Sequence, residues 1–139
     1  MKLSGTYSVS QWEESAIRPD EDGKRVSKAS VELHFIGDIE AKAFVEYLMF
    51  YTAFDEKDMH NSQAKYVGQI QIVGSVTGKV GSFALNDSGS FHGGLASSRV
   101  EIIPDSGTGE LASISGVGSY FANAQSCNWE LEVSFNSWI

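Results

Sequence analysis

The chain has a single cysteine, Cys127, so no disulfide can form within it, and a reducing, cytoplasmic location is expected. Basic residues are also scarce. Ten Lys and Arg stand against 18 Asp and Glu, and the net charge of -8 has the wrong sign for a phosphate-binding footprint or an anionic membrane surface. Neither nucleic acid nor membrane is therefore expected as a partner. Long apolar runs are missing too: the densest, Tyr47 to Phe54, is far too short to span a bilayer. The amino-terminal MKLSGTYSVSQW reaches Ser4 and Gly5 before an apolar core forms, so no secretory signal is expected there. There is no internal repeat of fixed period and no low-complexity tract. With 139 residues, one domain over 1–139 is expected, large enough to bury roughly two-thirds of the unfolded chain's surface.

What the chain does have is alternation. From Lys79 to Phe121, short apolar runs are punctuated by glycine every few residues, the mark of an antiparallel meander. Ala29, Val31, Leu33 and Phe35 share one face, with Ser30, Glu32 and His34 on the other. Tyr66, Gly68, Ile70 and Ile72 alternate with Lys65, Val67, Gln69 and Gln71, and Phe83 and Leu85 oppose Ala84 and Asn86. Trp129, Leu131, Val133 and Phe135 repeat the pattern near the carboxyl end. A first strand from Leu3 is predicted to end near Trp12, where the polar, turn-rich EESAIRPDEDGKR with Pro19 and Gly23 begins.

Ile39 to Phe54 carries a conflict. Ala41, Phe44, Val45, Leu48 and Met49 fit a helical spacing, and the segment is rich in helix formers. The alternation of Glu40 and Lys42 with Ile39, Ala41 and Ala43, followed by an aromatic run, favours a long strand. Read so, its far end is apolar on both faces, with Phe44, Leu48 and Phe50 on one side and Val45, Tyr47, Met49 and Tyr51 on the other. Such a strand needs a second layer or a partner subunit, so a homo-oligomer is expected.

Eight strands with short glycine turns predict an all-β fold, a closed or nearly closed eight-stranded antiparallel barrel, with a two-sheet sandwich as the alternative. The run PDSGTGELASISGVGSYF resembles the glycine-rich G-T-G-x-L/F-x-x-x-x-G segment of the allene oxide cyclase and dirigent barrels. Together, EYLMFY, GSFALNDSGSFHGG and GTGELASISGVGSY resemble a bacterial domain-of-unknown-function family of that barrel type, over nearly the whole chain. The resemblance implies an eight-stranded barrel. It carries no activity, because the bacterial family has no established function and the cyclase's catalytic residues lie outside the shared segment.

Motifs with chemical content are few. Gly107-Thr-Gly-Glu-Leu-Ala112 satisfies the dinucleotide pattern G-x-G-x-x-A, but such a loop must open a helix, and Gly116 and Gly118 follow at once; a turn between strands is the better reading. His34, His60 and His92 lack the spacing that lets one element offer two ligands, so no metal and no cofactor are expected. In the acidic runs PDEDG and DEKD an EF-hand register fails, because Arg18 falls at the first ligand position. Asn86-Asp-Ser88 matches a glycosylation triplet without a secretion signal to give it meaning. Cys127 lacks a basic neighbour that would stabilise its thiolate, and Gly74-Ser-Val-Thr-Gly78 puts valine where a hydrolase nucleophile belongs.

Glu46, Tyr47 and Tyr51 remain as candidate ligand-binding residues, a carboxylate and two phenols set among apolar neighbours. Adjacent strand residues point to opposite faces, so Glu46 and Tyr47 cannot both line an interior unless a bulge intervenes. Three functions stay open: a binding module for a small apolar or amphipathic molecule, an isomerase or cyclase using a cavity carboxylate, and a structural oligomer with a filled interior.

Overall fold

The computed structural model describes residues 1–18 and 20–135; Pro19, assigned above to a turn-rich connection, lies outside the described residues. The described residues are all-β apart from one 3-10 turn at Met59–Asn61. Its strands are β1 (Lys2–Ala16), β2 (Arg25–Gly37), β3 (Ile39–Ala53), β4 (Gln63–Val76), β5 (Lys79–His92), β6 (Leu95–Ile102), the two-residue β7 (Thr108–Gly109), β8 (Ile114–Ala122) and β9 (Cys127–Phe135). In space they run β4-β3-β2-β1-β9-β8-β6-β5, and β5 pairs back onto β4. That closes an eight-stranded antiparallel barrel, with β7 appended to β5. The sandwich alternative is set aside.

The contested segment is a strand from Ile39 to Ala53, and its odd-numbered residues from Ile39 to Tyr51 are all buried. Pairing decides it: Ile39 to Tyr51 face β4 residue for residue, from Ile39 opposite Val76 to Tyr51 opposite Ala64. A helix would leave the alternating apolar faces of both neighbours uncovered. β1 is longer than predicted. It continues through Glu13 and Glu14 to Ala16 because these residues complete the ladder to β2, up to Ala16 opposite Ser27. A register shift between Val9 and Gln11 puts a bulge at Ser10. On its other edge β1 pairs with β9 only from Lys2 to Thr6.

The interior divides along the barrel axis. At one end Leu3, Ile39, Ile72, Val76, Phe83 and Val133 are all buried, and the segment between β6 and β8 folds across so that Leu111 is wholly enclosed. There the GTGEL sequence forms the short β7 on Gly81 and Ser82 and a turn in which the Leu111 amide donates to the Thr108 carbonyl. It is a strand-linking turn that plugs one end, not a phosphate loop. At the opposite end the inward side chains are largely aromatic and do not fill the space between them.

Candidate functional site

A cavity of about 500 Å³ occupies the aromatic end. Its wall is overwhelmingly apolar, built from inward positions such as Val31, Leu33, Met49, Ile70 and Phe91, with Tyr7, Trp12, Tyr47, Tyr66 and Tyr120 supplying rings. Trp12 and Met59, both on the lining, stay 47% and 42% exposed, so the cavity communicates with solvent at this end. The mouth carries charge. The Arg25 guanidinium lies 3.9 Å over the Phe54 ring and donates to Asp20 at 2.6 and 3.0 Å, while Glu14 accepts from the Tyr51 hydroxyl at 2.7 Å and from the Trp12 indole at 3.1 Å.

Deeper in the barrel sits a polar cluster around Asp87, which is only 2% exposed. Its Oδ2 accepts from the Tyr120 hydroxyl at 2.6 Å and from Tyr47 at 2.9 Å, and the two phenol oxygens stand 2.7 Å apart. Beside them the Tyr66 and Ser98 hydroxyls share a hydrogen bond of 2.5 Å, with Tyr66 at 3.5 Å from Tyr120. The other carboxyl oxygen, Oδ1, is buried without a partner.

Register explains how so many oxygens meet. Tyr47, Gly68, Asp87 and Val100 stand opposite one another on β3 to β6. One row along, Tyr66, Gly89, Ser98 and Tyr120 do the same on β4, β5, β6 and β8. Each row has a glycine where a large side chain must lie flat. A Cβ at Gly68 would collide with the Glu46 carbonyl and sit 2.7 Å from the Tyr47 ring; one at Gly89 would collide with Ser98 and sit 2.7 Å from the Tyr66 hydroxyl.

Burial raises the Asp87 carboxyl above the ordinary carboxylate range, against the pull of the Tyr120, Tyr47 and Ser98 hydroxyls. The phenols of Tyr7, Tyr47, Tyr66 and Tyr120 are pushed above the usual tyrosine range, also chiefly by burial. All four are therefore protonated near neutrality. No side chain of the cluster is basic, so an ionised Asp87 would have hydrogen bonds but no counter-charge.

Of the residues singled out in the sequence, Tyr47 and Tyr51 line the cavity, Tyr47 at the deep cluster and Tyr51 at the mouth. Glu46 does not. The β2–β3 register runs unbroken from Phe35 opposite Ala41 to Arg25 opposite Tyr51, so no bulge turns Glu46 inward. It is exposed on the outer face, where it accepts from the Ser30 hydroxyl at 2.6 Å. Asp87 was passed over as the middle of a glycosylation triplet. Extending the alternation of Phe83 and Leu85 by one step places it inside. Tyr120 and Ser98 carry no such local signal, since only strand pairing brings them to Asp87.

His34, His60 and His92 are all exposed, and Cys127 is half-buried at the start of β9 on the cavity lining. Among the described residues, no three of His, Cys, Asp and Glu gather closely enough to hold a metal ion.

These features define a class: a small closed β-barrel, hollow at one end, with phenols at the bottom of the hollow and a buried carboxyl hydrogen-bonded behind them. The chain belongs to a family described as "Protein of unknown function (DUF3224)", whose model matches residues 3–133. A solved structure from that family, a protein with unknown function from Shewanella oneidensis MR-1, is 26% identical. It superposes with a TM-score of 0.82 over 99% of this chain and 98% of the other. No curated protein matches the chain.

Proposed function

We propose that the protein binds a small apolar or amphipathic molecule inside the barrel. The observation that carries this reading is the cavity of about 500 Å³, apolar on its walls and polar at its deep end and mouth. A hollow of that size falls in the range of small-molecule sites, which pair apolar walls with a few placed polar groups. The same hollow argues against a structural barrel with a filled interior. For an isomerase or cyclase the carboxyl groups at hand are Glu14 at the mouth and Asp87 behind the phenols, not Glu46. Binding needs only what the walls provide.

Titration with a fluorescent amphiphile, followed by competition with unlabelled compounds, tests the proposal. Saturable one-to-one binding is expected, and Leu33→Trp, which fills the hollow from its wall, is expected to abolish it while the barrel stays folded. Binding that survives Leu33→Trp unchanged places the amphiphile elsewhere and overturns the reading.

A second copy of this chain is the proposed partner of the outer sheet face. On β3 and β4, Phe44, Leu48, Phe50 and Val67 are 44%, 51%, 46% and 54% exposed, and Leu48 lies directly opposite Val67. Single exposed apolar residues are ordinary; adjoining ones on a flat sheet favour association.

A further inference from the structure

The buried carboxyl is the least explained feature of the cavity. Asp87 lies behind the phenols that line the hollow and is almost wholly enclosed; its Oδ1 has no partner, and no basic side chain among the described residues is bonded to it. The groups facing it from the surrounding strands are Tyr7 on β1, Tyr47 on β3, Tyr66 on β4, Ser98 on β6 and Tyr120 on β8; β9 adds only the thiol of Cys127 beside Tyr7. Among the described residues, the one basic side chain on the cavity wall is Arg25, at the mouth and already engaged by Asp20. A buried acid in such surroundings has two ways to avoid an uncompensated charge: keep its proton or acquire a cationic partner.

The phenols indicate which partner the cavity suits. Tyr47 and Tyr120 donate their protons to Asp87, so their oxygens are left as acceptors, and both side chains line the hollow. Tyr47 and Tyr66 meet edge to face at 5.2 Å, Tyr7 and Tyr120 at 5.8 Å, and Trp12 lies 6.3 Å from Tyr47. Ring faces and electron-rich oxygens attract cations and repel carboxylates.

We infer that the cavity takes an organic ammonium with an apolar body, its charged end held by the rings and phenol oxygens of Tyr47, Tyr66 and Tyr120, with the Asp87 carboxylate directly behind them. The inference rests on the cavity-binding reading above. Burial favours the protonated form of Asp87, and an entering ammonium shifts the balance toward the carboxylate. Binding below the raised pKa of Asp87 therefore releases the Asp87 proton to solvent.

Isothermal titration of the full chain with four probes sharing one body, 4-phenylbutylammonium, 4-phenylbutan-1-ol, 4-phenylbutanoate and butylbenzene, provides the test. The ammonium is expected to bind about tenfold tighter than the alcohol at pH 8, with the carboxylate weakest. Its advantage is expected to shrink as pH falls through the raised pKa of Asp87, because the amine stays charged while Asp87 regains its proton. In that lower range its binding heat should vary with buffer ionisation enthalpy. Asp87→Asn is expected to erase the ammonium's advantage over the alcohol and the pH dependence of that advantage. If that variant does not fold, the four-probe comparison and the pH series on the native chain still decide. Alcohol binding equal to or tighter than ammonium, or ammonium binding that ignores Asp87→Asn, overturns the inference but leaves the cavity reading intact. Failure of all four probes overturns both.

Discussion

The two ends of this barrel are made from the same strands and serve opposite ends of a trade. On β3, Ile39, Ala41, Ala43 and Val45 lead into a packed aliphatic interior, and Tyr47, Met49 and Tyr51, further along the same face, border a hollow. On β5 the change falls between Leu85 and Asp87. The filled end has the enclosed side chains and the Leu111 plug; the hollow end has a stretch of β1 paired on its β2 side alone, charged residues and a buried acid. Stability is thus concentrated at one end, which frees the other to keep empty volume and poorly compensated polar groups.

The sharpest test of that division is truncation at the filled end. Phe83→Ala removes a ring that is 1% exposed and is expected to lower unfolding free energy by about 3–5 kcal/mol in urea titration. The fraction that remains folded is expected to bind an amphiphile with native affinity. A matching loss of affinity would mean that the two ends are not separable.

Gly68→Ala attacks the seam between the ends. With backbone on one side of the new methyl and the Tyr47 ring on the other, a loss of about 1–3 kcal/mol is expected, accompanied by loss of amphiphile binding as Tyr47 leaves Asp87. Thermal unfolding and fluorescence titration of the one variant measure both effects. Loss of stability without loss of binding would remove Tyr47 from the site.

Acidity distinguishes the ends next. Because the folded state holds Asp87 above its ordinary value, the unfolded chain gives up this proton first as pH rises. Asp87 therefore contributes stability that is fully present below the ordinary carboxyl range and is lost as pH rises through its folded value. Asp55 acts with the opposite sign, since the amides of Asp58 and then Lys57 hold its carboxylate below the usual range. The difference between the native chain and Asp87→Asn isolates the buried group: the native chain is expected to lose ground to the variant with rising pH. A difference that does not change with pH would show that Asp87 titrates normally.

Met49→Ala, on the wall of the hollow, is expected to cost only about 1 kcal/mol, because the space it would vacate adjoins space already empty. Smallest of all is Leu48→Lys on the outer face, expected to change stability by less than about 0.5 kcal/mol while converting any oligomer seen by light scattering to monomer. A native chain that is monomeric throughout removes the proposed second copy.

Most of the fold was legible because each strand buries one face, and a period of two reports that directly. The choice of strand for Ile39 to Phe54 came from charges alternating with small apolar residues, a pattern that the pairing with β2 and β4 explains. Only half of the site was legible in the same way. Glu46, Tyr47 and Tyr51 all stand out as polar groups among apolar neighbours, and alternation sets Glu46 opposite the tyrosines without choosing the inward face, because outer faces of this sheet are apolar too. Asp87 was within reach of the alternation rule and was obscured by the polar Asn86 and Ser88 beside it. Its meeting with Tyr120 depends on β4, β5, β6 and β8 lying side by side, information that no local window contains.

The open edge of β1 has a consequence for life at high concentration. Beyond Thr6, the β9 side of this strand presents backbone donors and acceptors without ladder partners, and such an edge is a template onto which another chain can zip. Two features obstruct that templating: the bulge at Ser10 interrupts the flat run, and Glu14 turns a charge inward while Glu13 presents one outside. The acidic residues that extend β1 past Trp12 therefore protect the barrel from stacking into fibrils at the side where its wall is incomplete.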